Sequence, residues 1–212
     1  MDINEIIKSD IRSSLTKSGL LLFLAGFFIF MGIITGEIFY TAEFNTRDNY
    51  ISELAASIDP GTAFQKLSAN VFDYTMIGAG LMVLAATWFV YKIFKKFLMT
   101  LPMGLLGIGL AGVGAFPGDM VPWHGIFALI VFIAGGIAAI ASFKIVNTPL
   151  RYIFVAFGII ALVLLSFQKY FIPTLGVGGA ERWLFYPVVF WITGMGTYLL
   201  GIKDGHKNTL NV

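Results

Sequence analysis

Asp119 and His124 stand five positions apart, Glu181 and Arg182 are adjacent, and the run Asp48-Asn49-Tyr50-Ile51-Ser52-Glu53 crowds donors, acceptors and a hydroxyl together. With Asp73, these residues set the chemistry open to the chain. Asp73, Asp119, His124 and Glu181 form the only plausible cluster for a divalent metal, three carboxylates and an imidazole, and a bound ion would activate water. Alternatively, Ser52 would attack as a nucleophile, with His124 as its base and Asp119 or Glu53 orienting the ring. Asp119, His124, Glu181 and Ser52 are therefore the candidate catalytic residues. The sequence contains no HExxH, no GxSxG and no paired-aspartate repeat, so neither reading has a motif behind it.

Anion capture is a third chemistry. The stretch from Gly176 to Trp183 places glycines ahead of an expected helix N-terminus, where successive backbone N–H groups turn toward an anion and Arg182 would clamp it through two donors. A phosphate or carboxylate headgroup fits such a cradle. The candidate binding residues are Asn49, Glu53, Asp73, Gly178, Gly179, Arg182 and Tyr186. Each candidate also has a plainer role. Asp73, Asp119 and Glu181 would complement helix dipoles at about 0.3–1 kcal/mol each, and His124 would sit in an interfacial aromatic belt beside Trp123. Glu181 and Arg182 would be an exposed pair of little worth, and the glycines a flexible connector.

Composition removes other classes. The chain has no cysteine, which excludes disulfides and thiolate chemistry. Its two histidines, His124 and His206, are expected on opposite sides of a membrane, so bis-histidine haem is rejected. Basic residues are scattered at the ends of apolar runs and form no patch with stacking aromatics, which argues against nucleic acid.

These residues need elements to hold them. Of 212 residues, 58% are hydrophobic and 12% charged, too little polar surface to cover a soluble fold. Six apolar runs stand out, at approximately 18–40, 69–91, 98–116, 122–143, 149–171 and 183–202. Each is close to the roughly 20 residues that cross a bilayer core of about 30 Å. The expected fold is all-α, a polytopic membrane protein with a bundle of six transmembrane helices over 18–202. Residues 1–17, with Ile3, Ile7, Ile11 and Leu15 at four-residue spacing, are expected as a cytoplasmic amphipathic lead-in, and 203–212 as a cytoplasmic tail. Pro122 and Thr148-Pro149 supply helix-start signals for the fourth and fifth runs.

Ten of the fourteen basic residues fall on one side of this arrangement: Lys8, Arg12, Lys17, Lys92, Lys95, Lys96, Lys144, Arg151, Lys203 and Lys207. Both termini are thus expected in the cytoplasm of a multi-pass protein of the cell membrane. Eight of the twelve acids gather on the other side: Glu37, Glu43, Asp48, Glu53, Asp59, Asp73, Asp119 and Glu181. Spans two, four and six would begin there, each turning a positive dipole end toward the same surface. Gly32 with Gly36, and Gly104, Gly107, Ala111 and Gly114, make small-residue stripes suited to helix contacts, including those of a homo-oligomer.

Three ordered motifs carry a resemblance across essentially the whole chain. They are Asn49-Tyr50-Ile51-Ser52-Glu53-Leu54; Phe116-Pro117-Gly118-Asp119 followed by Pro122-Trp123-His124-Gly125; and Gly178-Gly179-Ala180-Glu181-Arg182 with Tyr186-Pro187. In these the chain resembles the domain of unknown function 998 family of prokaryotic integral membrane proteins. The resemblance implies six membrane helices and highlights Asn49, Ser52, Glu53, Asp119, His124, Glu181 and Arg182, without implying an activity. The functional expectation is recognition of a lipid headgroup or small anionic amphiphile in a polar pocket at the outer surface, with hydrolysis or transfer left open. A transporter or channel, which needs polar groups near the midplane, is the alternative, as is a structural or partner-binding subunit.

Overall fold

A computed structural model describes residues 3–40, 43–55 and 63–202 of the chain. The expected tail at 203–212 and Asp59 lie outside the described residues. Among those described there are six α-helices: α1 (Ile3–Phe39), α2 (Ala63–Phe94), α3 (Phe97–Ala115), α4 (Trp123–Ala141), α5 (Leu150–Ser166) and α6 (Gln168–Gly201). A single 3-10 turn, Ile51–Leu54, interrupts the α1–α2 loop, and another, Ser142–Lys144, follows α4. All except α5 are long and apolar enough to cross a membrane.

Local chemistry sets the boundaries. Pro122 and Pro149 immediately precede the first residues of α4 and α5, where a missing N–H costs no helical bond. Lys95, with φ of 49°, ends α2 in the left-handed region and lets α3 begin two residues later. Three boundaries differ from expectation. Residues 3–17 and the first span form one unbroken helix of 37 residues, about 55 Å long, tied back to α2 by an Asp10–Lys92 ion pair at 2.8 Å. The fifth helix stops at Ser166, because Phe167 (φ −117°, ψ 21°) turns the chain, and residues up to 171 belong to α6. Finally, α6 is two helical segments that meet at a break at Gly176 (φ 76°, ψ 168°), the first beginning at Gln168 and the second running on to Gly201, where a single start near 183 was expected.

Consecutive helices pack side by side, and α6 closes the ring against α1. A direct α4–α6 contact cuts across that ring. Gly135 lies against Val188, and Phe132 meets Phe185 edge-on at 6.4 Å. Five helices therefore surround the interior and α5 rests outside, in the furrow between α4 and α6, where Gly136 and Gly158 bring two backbones together. The glycine stripes are consumed inside the chain: Gly32 faces Thr75, Gly36 faces Leu54, Gly107 faces Leu84 and Gly114 faces the Asp73 carbonyl. Association of copies through those faces would displace these contacts.

The connections divide the bundle into two ends. One, the acidic end, gathers Glu37, Asp48, Glu53, Asp73, Asp119 and Glu181; the other carries Lys92, Lys95, Lys96, Lys144 and Arg151.

Candidate functional site

At the acidic end the loop 43–55 folds over the start of α6, and its own side chains shape it. Asn45 accepts the Arg47 N–H at 2.9 Å and donates to Asp48 at 2.9 Å. Asn49 accepts the Asn45 N–H at 2.9 Å and donates to Glu53 at 2.7 Å, while the other Glu53 oxygen accepts the Tyr50 N–H at 2.8 Å. Asn49 and Glu53, both candidate ligand residues, are thus spent on the loop. Where α1 ends, burial and then the Glu53 carboxylate raise the Tyr40 phenol above its ordinary pKa of 10.0, which keeps it neutral.

Arg182 anchors the loop from below. It is buried, and its Nη1 donates to the carbonyls of Thr46 (2.8 Å), Asn49 (3.0 Å) and Gly178 (3.0 Å). Its Nη2 pairs with Glu37 at 2.8 Å, and Phe44 lies 5.5 Å from the guanidinium. Three carbonyls therefore take up Nη1 and one carboxylate takes up Nη2, so that most of this buried guanidinium is engaged by protein. The two-donor anion clamp expected at Arg182 finds Nη1 and the Glu37-facing side of Nη2 already engaged.

The glycine cradle is corrected too. Residues 177–182 are helical, and the Gly178 and Gly179 N–H groups both donate to the Arg47 carbonyl, at 2.9 and 3.1 Å. The anion at this helix start is the loop's own backbone oxygen. A Cβ on Gly178 would stand 2.1 Å from the Asn49 carbonyl, so close approach of the loop, not of a ligand, explains this glycine.

Glu181 turns inward. One of its oxygens accepts the Ile51 N–H, with the Ser52 N–H also directed at it, so it caps the 3-10 turn from 130 residues away. His124, in the first turn of α4, is buried and its Nδ1 lies 2.7 Å from the Phe116 carbonyl. Because a carbonyl only accepts, Nδ1 carries the proton and Nε2 is left as an acceptor in the neutral ring. Glu181, His124 and Ser52 line one small cavity of about 30 Å³, walled by Phe72, Met76, Val131 and Phe185. That is room for one or two waters.

Convergence is therefore partial. Asp119 is exposed, and Asp73, one helix away, feels its charge but keeps a buried Oδ1 with no hydrogen-bond partner among the described residues. Among the described residues no three His, Asp or Glu side chains come together as a metal set, so Asp73, Asp119, His124 and Glu181 are not a ligand cluster.

A larger space lies on the other side of α6. It measures about 720 Å³, with Leu175, Gly179, Trp183, Pro187 and Phe190 of α6 as its floor and Phe157 and Ile160 of α5 as a wall. Thr46, Arg47, Arg182 and Tyr186 form its polar rim. Trp183 and Phe190 are half-exposed, so the groove opens on the flank of the bundle. Pro187 cannot donate to the carbonyl four residues back, which leaves the Trp183 oxygen without its helical bond beside this space. Sequence reading identified Gly179, Arg182 and Tyr186 here but missed Arg47, Thr46 and the α5 wall. It also missed Glu37 as the partner of Arg182, although an acid in the last turn of α1 opposes the helix dipole and so signals a nearby cation.

Long apolar helices packed as a ring, with charge confined to the ends, define a multi-pass membrane protein. The chain belongs to the family described as Protein of unknown function (DUF998), whose model matches residues 23–198 and so takes in both cavities and the loop above them. Neither the curated proteins nor the solved structures yield a match.

Proposed function

We propose that this is a six-span protein of the cell membrane with its acidic end outside and both termini in the cytoplasm, and that it binds an anionic amphiphile in the α5–α6 groove. The ten-to-four division of basic residues supports the orientation. At 17 residues, α5 rises about 26 Å, the short end of what crosses a bilayer core. The observation that carries the binding is the groove itself: about 720 Å³, aromatic and aliphatic along its length, polar and cationic at one rim. Ligand sites commonly have this size and make-up. A headgroup would rest at the rim with its chain against Phe157, Ile160 and Phe190.

Turnover is not part of the proposal. The cavity shared by Ser52, His124 and Glu181 has room for water and not for a headgroup, so Glu181 is assigned to capping the 43–55 loop at Ile51 and Ser52, and His124 to holding the α3–α4 connection at Phe116. The test is native mass spectrometry of the protein released from bilayers containing an anionic lipid. Wild type should retain a lipid that Ile160→Trp, which fills the groove from the α5 wall, loses. Equal retention by both proteins would reject the groove as the binding site.

A further inference from the structure

Two arginines face the groove, and they differ in what remains free. Arg182 has given Nη1 to three carbonyls and Nη2 to Glu37, and that carboxylate offsets its charge. Arg47 is exposed at the rim, and only its backbone and stem serve the fold. Its N–H goes to Asn45, its carbonyl receives Gly178 and Gly179, and its Cγ packs beside Gly176. Among the described residues its guanidinium has no hydrogen bond or ion pair. On the groove floor, Gly179 differs from its neighbour in the same way. A Cβ there would meet only Leu175 at 3.4 Å, whereas at Gly178 it would strike the loop. Packing demands glycine at 178, while at 179 the missing side chain leaves space in the groove at the cost of helix propensity.

We infer that Arg47 is the residue that selects a negatively charged membrane lipid, its headgroup held at the rim and its first chain carbons lying over Gly179. The inference rests on the groove binding an amphiphile and adds which charge is read, and by what. An exposed arginine next to a membrane surface attracts an anionic headgroup by an amount that corresponds to about fivefold in binding. Arg182 contributes positioning, since it fixes the loop that presents Arg47.

The test compares retention of phosphatidylglycerol and phosphatidylcholine from nanodiscs holding equal amounts of each, for wild type, Arg47→Gln, Arg47→Lys and Gly179→Leu. Glutamine keeps the Cγ and every backbone contact, so the fold should stand. Wild type should enrich phosphatidylglycerol about fivefold, Arg47→Gln should remove the preference while still retaining lipid, and Arg47→Lys should restore most of it. Gly179→Leu should expel both lipids with unchanged melting. An anionic preference that survives Arg47→Gln, or no preference in wild type, would overturn the inference while the loss on Ile160→Trp still upheld the groove. Retention of both lipids insensitive to Ile160→Trp would sink the groove reading itself. Displacement of phosphatidylglycerol by millimolar inorganic phosphate would show that a free anion, not a lipid, is the ligand and would also overturn it.

Discussion

Glu181 and Arg182 are neighbours in the chain, and about 100° of helix rotation turns them to different sides of α6. Glu181 faces the small cavity of about 30 Å³ and caps the 3-10 turn; Arg182 reaches beneath the loop at the rim of the groove of about 720 Å³. Both hold the same loop from below, one by accepting its N–H groups and the other by donating to its carbonyls. The difference lies beyond them. Behind Glu181 the cavity holds about 30 Å³, room for water, whereas past Arg182 there is a ligand-sized groove and a cation, Arg47, that is uncommitted among the described residues. Charge and burial alone therefore mark structural residues here, and a free polar group beside open space marks the candidate site.

The comparison breaks first at Arg182. Arg182→Met leaves Glu37 half-buried and unpaired and the Thr46 and Asn49 carbonyls without this donor, so thermal melting in detergent should show a loss of about 3–5 kcal/mol. A loss under 1 kcal/mol would mean that the guanidinium is not the anchor of the loop. Next come the two glycines. Gly178→Ala should cost about 1–3 kcal/mol, because the Asn49 backbone must move. Gly179→Ala should be neutral or gain up to about 1 kcal/mol, since alanine is the better helix former. Equal effects at both positions would erase the distinction between packing and clearance.

Glu181→Gln keeps an acceptor for the Ile51 N–H and loses only the charge, so about 1–2 kcal/mol should be lost. Lipid retention in the groove should change little, and abolished retention would make the two cavities one functional unit. The smallest effect belongs to Asp119→Asn: the side chain is exposed, and stability should stay within about 0.5 kcal/mol.

Hydropathy, proline placement and charge distribution made the helices and the two ends readable, because each is a local property of the chain. The contacts that build the site are not local. Glu37 reaches Arg182 across 145 positions and Ile51 reaches Glu181 across 130, and nothing in their spacing announces either pair. The run Gly176-Val177-Gly178-Gly179 reads as a loop because glycine is a poor helix former, yet Arg182 and the Arg47 carbonyl hold all but Gly176 in helix. Tertiary contact overrides propensity there. The amphipathic lead-in failed as a separate element for the converse reason: no breaker stands between residues 3 and 39, so α1 continues. The α5 wall was missed because Phe157 and Ile160 are ordinary apolar residues until α5 is placed on the outside of the ring.

The most direct test of lipid binding in the groove uses the absence of native cysteine. A fluorophore on Ile160→Cys reports from the groove wall, and one on Phe28→Cys reports from an exposed face of α1 that bulk lipid would cover. In nanodiscs doped with a brominated anionic lipid, the Ile160 label should be quenched at lower lipid fractions than the Phe28 label, and Arg47→Gln should remove that advantage. Identical quenching curves at the two positions, unchanged by Arg47→Gln, would show that the groove meets lipid as any membrane-facing surface does and would contradict the account.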